Sequence, residues 1–419
     1  MKDIKEWDWS VTSKKIPFQS WENKFEWLEE PYLSPDGEKI AAIVKQGDEE
    51  FTVCVNGLPW EEVFDKVYNL RFSPDGRPVA LVSKDMEWTV AEDGVSWENS
   101  FDFVWNPMFS DDGSHIAVAC QSDIDYFLAV DDSPWEKTYT GISNMTLSPD
   151  GKKSAASVQT LSLSEGDIDK FKEGIFSAAV DGEVWNRSFT NVWRSVFSPD
   201  GQRLAAEVRL NRTDYSIAVD GTVWEKIFKS VWEPCFNPAT GEVIAPVLVP
   251  GGWTLASDGD ILWKNKFKQL WQQRFSPDGR KLGAIVSPKF GKWTLAVDDC
   301  PWSTLVDEFI TDMVFSPDSK KVGAVIKHKG KWGYIVEDKI WNHFFDMAWA
   351  PVFSPDGSHV VAKVEKDGRK YIIIDDKFLP AGYEELWNPV FDETGEKILI
   401  RSIRDGVYDR TIYSTNDLF

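Results

Sequence analysis

Cysteine and histidine are the side chains best suited to bind a metal or attack a substrate, and here neither is spaced for it. Cys54, Cys120, Cys235 and Cys300 are far apart in the chain. No CxxC or CxxCH can be drawn, so a structural zinc, a c-type haem and a thioredoxin-like dithiol lack support. His115, His328, His343 and His359 form no HxH or HExxH pattern. His115 and His359 each follow Gly-Ser in similar segments, which suggests a surface position at the start of a strand. Asp131-Asp132, Asp298-Asp299 and Asp375-Asp376 offer hard oxygen ligands of the kind calcium takes. Similar segments carry Asp-Gly at that place, so turn residues are expected first. No Gly-x-Ser-x-Gly, phosphate-cradling glycine loop or redox motif is present. No catalytic residue, cofactor or metal is expected, and the chain reads as a protein that is not an enzyme.

The elements that carry these residues come from a chain of 419 residues, 42% hydrophobic and 27% charged. That composition is globular rather than disordered. Sixty-eight acidic residues against 46 basic ones leave a net charge of −22. So acidic a surface repels phosphate backbones and anionic headgroups, which argues against nucleic-acid binding. The start, Met1 to Trp7, lacks the apolar stretch of a secretory signal, so a cytoplasmic location is expected. The longest apolar runs, such as Val243 to Val249, fall far short of the roughly 20 residues needed to span a bilayer. Direct membrane insertion is not expected; docking to a membrane protein stays open.

An internal repeat dominates the chain. Phe-Ser-Pro-Asp-Gly occurs at Phe72, Phe197, Phe275 and Phe353, with near copies starting at Leu33, Phe109, Leu147 and Phe315. Two decayed copies start at Phe236 and Phe391. The second position of each copy serves as anchor: 34, 73, 110, 148, 198, 237, 276, 316, 354 and 392. Nine steps result, eight of 37–40 residues and one of 50. Each copy continues with a short Ala/Val run, then an aromatic and β-branched run ending in Asp-Gly or Asp-Asp, then Trp-x-x-x-Phe. Several add Trp-x-Pro-x-Phe, as at Trp105, Trp232, Trp349 and Trp387.

Runs of five to seven residues, rich in Val, Ile, Thr and aromatics, are strands, and no helical period is present. Pro-Asp-Gly is a turn: Pro presets φ, Asp bonds its own backbone, and Gly accepts positive φ. Four short strands per repeat make a β-propeller blade. The Ser-Pro-Asp-Gly units resemble the WD40-like repeats of bacterial propellers such as the TolB proteins. The resemblance covers Trp21 to the C-terminus and implies a fold but no function. The expected fold class is an all-β β-propeller of about ten four-stranded blades, residues 1–419 forming one domain. The N-terminal segment would supply the outer strand of an incomplete last blade and so close the ring. The alternative is two smaller propellers.

The chain holds 22 Trp. One stands 13 residues before the anchor in eight copies, with Trp302 at 14 and Leu379 replacing it in the last copy. Such regularity suits a wedge between adjacent sheets rather than a ligand platform, since a ligand needs one site. Trp7, Trp9 and Trp27 lie outside the main rows and are candidates for exposed partner contacts. Asp-Gly shortly before Trp, as in Asp181-Gly182 and Trp185, is similar to the docking motif of quinoprotein propellers. Those enzymes carry a vicinal cysteine pair, which this chain lacks. The 50-residue step contains an insertion at 159–174. A long loop on a rigid repeat is a natural place for function, with Ile168 and Phe171 as its apolar contacts. An ordinary tolerated insertion is the alternative.

These features describe a non-catalytic scaffold for protein–protein assembly. The Trp-x-x-x-Phe and Trp-x-Pro-x-Phe rows also resemble the tryptophan-rich subunit of the Tmc transmembrane redox complexes of sulfate-reducing bacteria. That resemblance implies an accessory subunit of an electron-transfer complex, with no cofactor of its own. Its partners would be a membrane cytochrome b and an iron–sulfur subunit. The alternative is a soluble enzyme, or a glycan- or peptide-binding propeller with an axial site. A cluster of two or three charged residues near the start of the innermost strands would favour it.

Overall fold

A computed structural model of the protein describes residues 4–162 and 168–418. Strand makes up 53% and helix 4%, so the all-β expectation holds. Ten antiparallel sheets follow one another along the chain, each a four-stranded β-propeller blade. The blades are numbered 1–10 by the ten anchors. Blade 2 shows the plan, with strands Lys66–Phe72, Pro78–Lys84, Glu87–Glu92 and Val95–Ser96 paired in chain order. In blades 1, 9 and 10 the first strand is broken into two short pieces. Contacts group the chain into two units. One comprises Met1–Glu6 and Gln19–Phe236 and carries blades 1–5; the other comprises Trp7–Phe18 and Asn237–Phe419.

The second strand is the core of each blade. Ile40–Gly47, Ile116–Ser122 and Val322–His328 each open with five consecutive buried residues. A strand covered on both faces reads as an unbroken apolar run, and its alanines let neighbouring sheets approach. The anchor serine locks the turn that leads into this strand. Ser34 Oγ donates to Asp36 Oδ1 at 2.6 Å and accepts from the Lys39 amide at 2.9 Å. The same pair of bonds recurs at Ser110, Ser276 and Ser354. Each of these serines is buried, so one hydroxyl satisfies two groups that would otherwise be stranded.

The Asp-Asp pairs are structural, as expected. Asp131 Oδ1 accepts from the Ile116 amide of its own blade at 2.8 Å. Asp132 reaches back to the preceding blade and accepts from Glu98 N at 2.8 Å and Asn99 N at 3.1 Å. Asp299 does the same for Lys264 and Asn265, and Asp376 for Asn342 and His343. His115 and His359 pair with Asp131 and Asp375 at the strand starts.

The main Trp row wedges between blades. Trp21, Trp60, Trp135, Trp224, Trp263 and Trp341 are buried. In blade 2 the Asp93-Gly94 turn packs on Trp60: Gly94 has φ +88, and a Cβ there would lie 3.1 Å from Trp60 Cγ. Glycine is required both for the left-handed turn and for this close approach.

Blade 10 has no such Trp and is completed differently. Strand Ser13–Ile16 pairs antiparallel with Val407–Ser414, Ser13 facing Thr411 and Ile16 facing Tyr408. Arg410 is buried and donates Nη2 to the Asp8 carbonyl at 2.7 Å. Lys397 Nζ donates to the Trp9 carbonyl at 2.9 Å. The N-terminal segment thus supplies the outer strand of the last blade.

Candidate functional site

Two surfaces depart from the structural plan. The first is an apolar blade end in the unit Gln19–Phe236. The hairpin joining strands two and three lies beside the start of strand one. Asp65, just before the first strand of blade 2, accepts from the Asp85 amide of that hairpin at 2.8 Å. Asp102 and the Asp123 amide make the same contact in blade 3. Large apolar side chains project here instead of packing: Met86 is 89% exposed and Ile124 78%. Tyr68 and Phe103 on the first strands are also exposed. Aromatic rings run through this end without a gap. Tyr68 stacks on Trp88 at 5.7 Å, Trp88 meets Phe103 at 5.4 Å, and Phe103 stacks on Trp105 at 6.0 Å.

Trp27 holds the matching place in blade 1, seven residues before its anchor as Phe103 is before its own. It is 48% exposed, sits edge-on to Phe51 at 6.3 Å and lines a shallow hollow with Glu26 and Lys45. Phe171 is also exposed, on the short helix Ile168–Glu173 of the insertion. Residues 163–167 and the Ile168 side chain lie outside the described residues. Trp7 is a correction: it is 8% exposed, stacked on half-buried Trp9 at 6.0 Å, and offers no exposed contact. The reason is the Ser13–Ile16 pairing, which ties the N-terminal segment down.

The second surface lies on the first strands. Four residues before the anchor, the ladder between strands one and two slips by a bulge. The residue at this point has left-handed φ: Asn69 +52, Asn106 +54 and Asn144 +50. Asn tolerates that conformation best among side chains with a Cβ. Blade 5 has Arg194 there instead, at φ +31. Arg194 Nη1 lies 3.2 Å from Glu233 Oε2 on the segment that follows blade 5.

Blade 5 breaks the pattern a second time. Nine residues after the anchor, blades 1–4 carry Ile43, Val82, Ala119 and Ser157, all buried. Blade 5 carries Glu207, half-buried, facing Trp193 across one ladder and Ile217 across the other. Burial pushes its carboxyl up to about 7; Arg194 pulls it down and Glu233 pushes it up. Among the described residues no hydrogen-bond donor reaches it. Trp193 stacks on Tyr215 at 6.2 Å. Blade 9 breaks the same position with Lys363, whose Nζ stands 4.0 Å from the centre of the Trp349 ring. The sequence reading missed Glu207, Arg194 and Lys363. Aligning the repeats by their anchors and looking for charges in a mostly apolar column would have found Glu207, Lys363 and Arg401.

No family model matches this chain, and no curated protein matches it. Among solved structures, that of a eukaryotic initiation factor is similar over 78% of this chain and 90% of its own, with 13% identity and a TM-score of 0.50. It is one of 654 solved chains that match, so the likeness shows a common propeller fold and nothing of function. No helix among the described residues is long and apolar enough to cross a membrane.

Proposed function

We propose that this chain is a protein-interaction propeller, an assembly platform with no catalytic role of its own. The observation that carries this reading is the apolar end of blades 2 and 3, where Tyr68, Met86, Phe103 and Ile124 face solvent together. Side chains of this size, gathered at one end of adjacent blades, mark a contact surface. Its rim is acidic, with Asp65, Asp85, Asp102, Asp123 and Asp125 around it. The matching partner surface would be apolar with a basic border.

The particular assembly is suggested by the tryptophan rows alone. They point to an accessory subunit of a Tmc-type electron-transfer complex, held through a membrane cytochrome b and an iron–sulfur subunit. The test is a tagged pull-down from detergent-solubilised membranes of the source organism, with the visible spectrum recorded. Haem absorbance lost in a Met86→Asp, Ile124→Asp variant supports both the platform and its redox setting. Colourless partners lost in the same variant support the platform and sink the redox assignment. Partners retained by the variant overturn the apolar end as the contact surface. A second reading, a ligand-binding propeller, is favoured by the Arg194, Glu207 and Glu233 cluster.

A further inference from the structure

We infer that Trp193, Glu207 and Glu233 form a receptor for a primary ammonium group, as carried by a lysine side chain or a free alkylamine. The inference does not depend on the platform reading. It starts from the repeat, which supplies its own controls. The position nine residues after the anchor is buried and uncharged in blades 1–4. In blade 5 it is a carboxylate without a donor, facing Trp193 across the ladder. Half-burying a carboxylate costs stability unless something cationic pairs with it.

The same two positions show what that partner is in blade 9. There Lys363 takes the place of Glu207 and Trp349 the place of Trp193, and the ammonium sits 4.0 Å from the ring centre. That is cation–π range, and the pair is partly desolvated. The repeat therefore accommodates an ammonium on the aromatic side of this position. Blade 5 presents the aromatic ring with a carboxylate in place of the cation, so an incoming ammonium would meet both the ring and a negative charge. Arg194 draws the Glu207 carboxyl down from nearby but makes no hydrogen bond to it, its Nη1 lying 3.2 Å from Glu233 Oε2. Glu233, paired with Arg194, adds a second negative charge whose push on the Glu207 carboxyl is smaller than the pull of Arg194.

Proton linkage gives a signature that simple surface attraction lacks. An alkylammonium stays charged from pH 6 to 8, since its pKa is near 10.4. Glu207, with its carboxyl at about 7, is roughly one-tenth ionised at pH 6 and nine-tenths at pH 8. Binding to the ionised form therefore strengthens about tenfold between pH 6 and pH 8 and releases a proton at the lower pH.

The experiment is isothermal titration of the full chain with N-acetyl-lysine methylamide, n-butylammonium and the neutral isostere N-acetyl-norleucine methylamide. Saturable binding of an ammonium probe, rising about tenfold from pH 6 to 8 and absent for norleucine, is expected. Glu207→Gln, an isosteric change, should abolish binding without lowering the melting temperature at pH 6 or 8; Trp193→Leu should weaken binding at both pH values. Preference for the lysine derivative over n-butylammonium assigns the ligand to a peptide, and equal binding assigns it to free amines. Binding that persists in Glu207→Gln, that ignores pH, or that norleucine matches overturns the inference, as does no binding of either ammonium probe at millimolar concentration.

Discussion

Deleting residues 1–16 should cripple the last blade while leaving blades 1–5 intact. The segment contributes three things to its unit. Its strand Ser13–Ile16 pairs with four residues of Val407–Ser414, and two or three ladder hydrogen bonds at about 1 kcal/mol each are lost with it. Arg410 is buried and loses the Asp8 carbonyl; a hydrogen bond to a charged group is worth about 1.5–3 kcal/mol. Trp7 is buried, and its ring contributes about 2 kcal/mol by the area it removes from water. Together these terms come to about 5.5–8 kcal/mol. At about 2–4 °C per kcal/mol for a unit of this size, the melting temperature of Asn237–Phe419 should fall by about 10 °C or more. Deletion also leaves Val407–Ser414 as a free edge, which favours association. Differential scanning calorimetry measures the first effect, and hydrogen exchange read by mass spectrometry over 407–414 measures the second. A melting temperature within 2 °C of the parent, with 407–414 still protected, would refute the reasoning.

Three further expectations separate structural from surface residues. Trp263→Ala should cost about 3–5 kcal/mol in urea denaturation, because the ring is 3% exposed. Trp27→Ala should cost under about 1 kcal/mol, since its ring is half in water. Hydrogen bonds from the anchor serines are the main cause holding Asp150, Asp200, Asp278 and Asp318 below the usual carboxylate range. Groups depressed in the native state stabilise it above their unfolded value of about 3.8 and lose that contribution as pH falls through the native one. The melting temperature should therefore begin to fall below about pH 4, and Ser148→Ala with Ser198→Ala should shrink the fall. Under native conditions a thiol reagent should modify Cys300, which is exposed. Cys54 should react only on unfolding, since burial pushes its thiol up to about 11.

Much of the fold was legible because the repeat is a local signal. Ser-Pro-Asp-Gly fixes a turn by its own hydrogen bonds, and six such turns with four variants announce ten sheets. The burial of the main Trp row followed from its regular spacing. Trp7 was misjudged because its environment is set by a strand partner nearly 400 residues away, which no local pattern reveals. The exposed Met86 and Ile124 were passed over, since hairpin tips are short and carry no periodic signal. Glu207 and Arg194 were missed for another reason: a single Glu in a strand is unremarkable by itself. It becomes informative only when the equivalent residues of blades 1–4 are known to be buried and uncharged.

The back-reaching aspartates have a consequence for synthesis on the ribosome. Asp132 caps a loop 33 or 34 residues upstream, and Asp299 and Asp376 bridge similar distances. A blade that has emerged is therefore not finished until most of the next repeat has been made. At about 5–20 residues per second the delay is about 2–7 seconds per blade. Of the pairings described, the strand Ser13–Ile16 waits longest, since its partner Val407–Ser414 lies nearly 400 residues further on. At the same rate that wait is about 20–80 seconds. Its sequence suits the delay: Lys14 and Lys15 keep a short unpaired strand solvated until its partner is made.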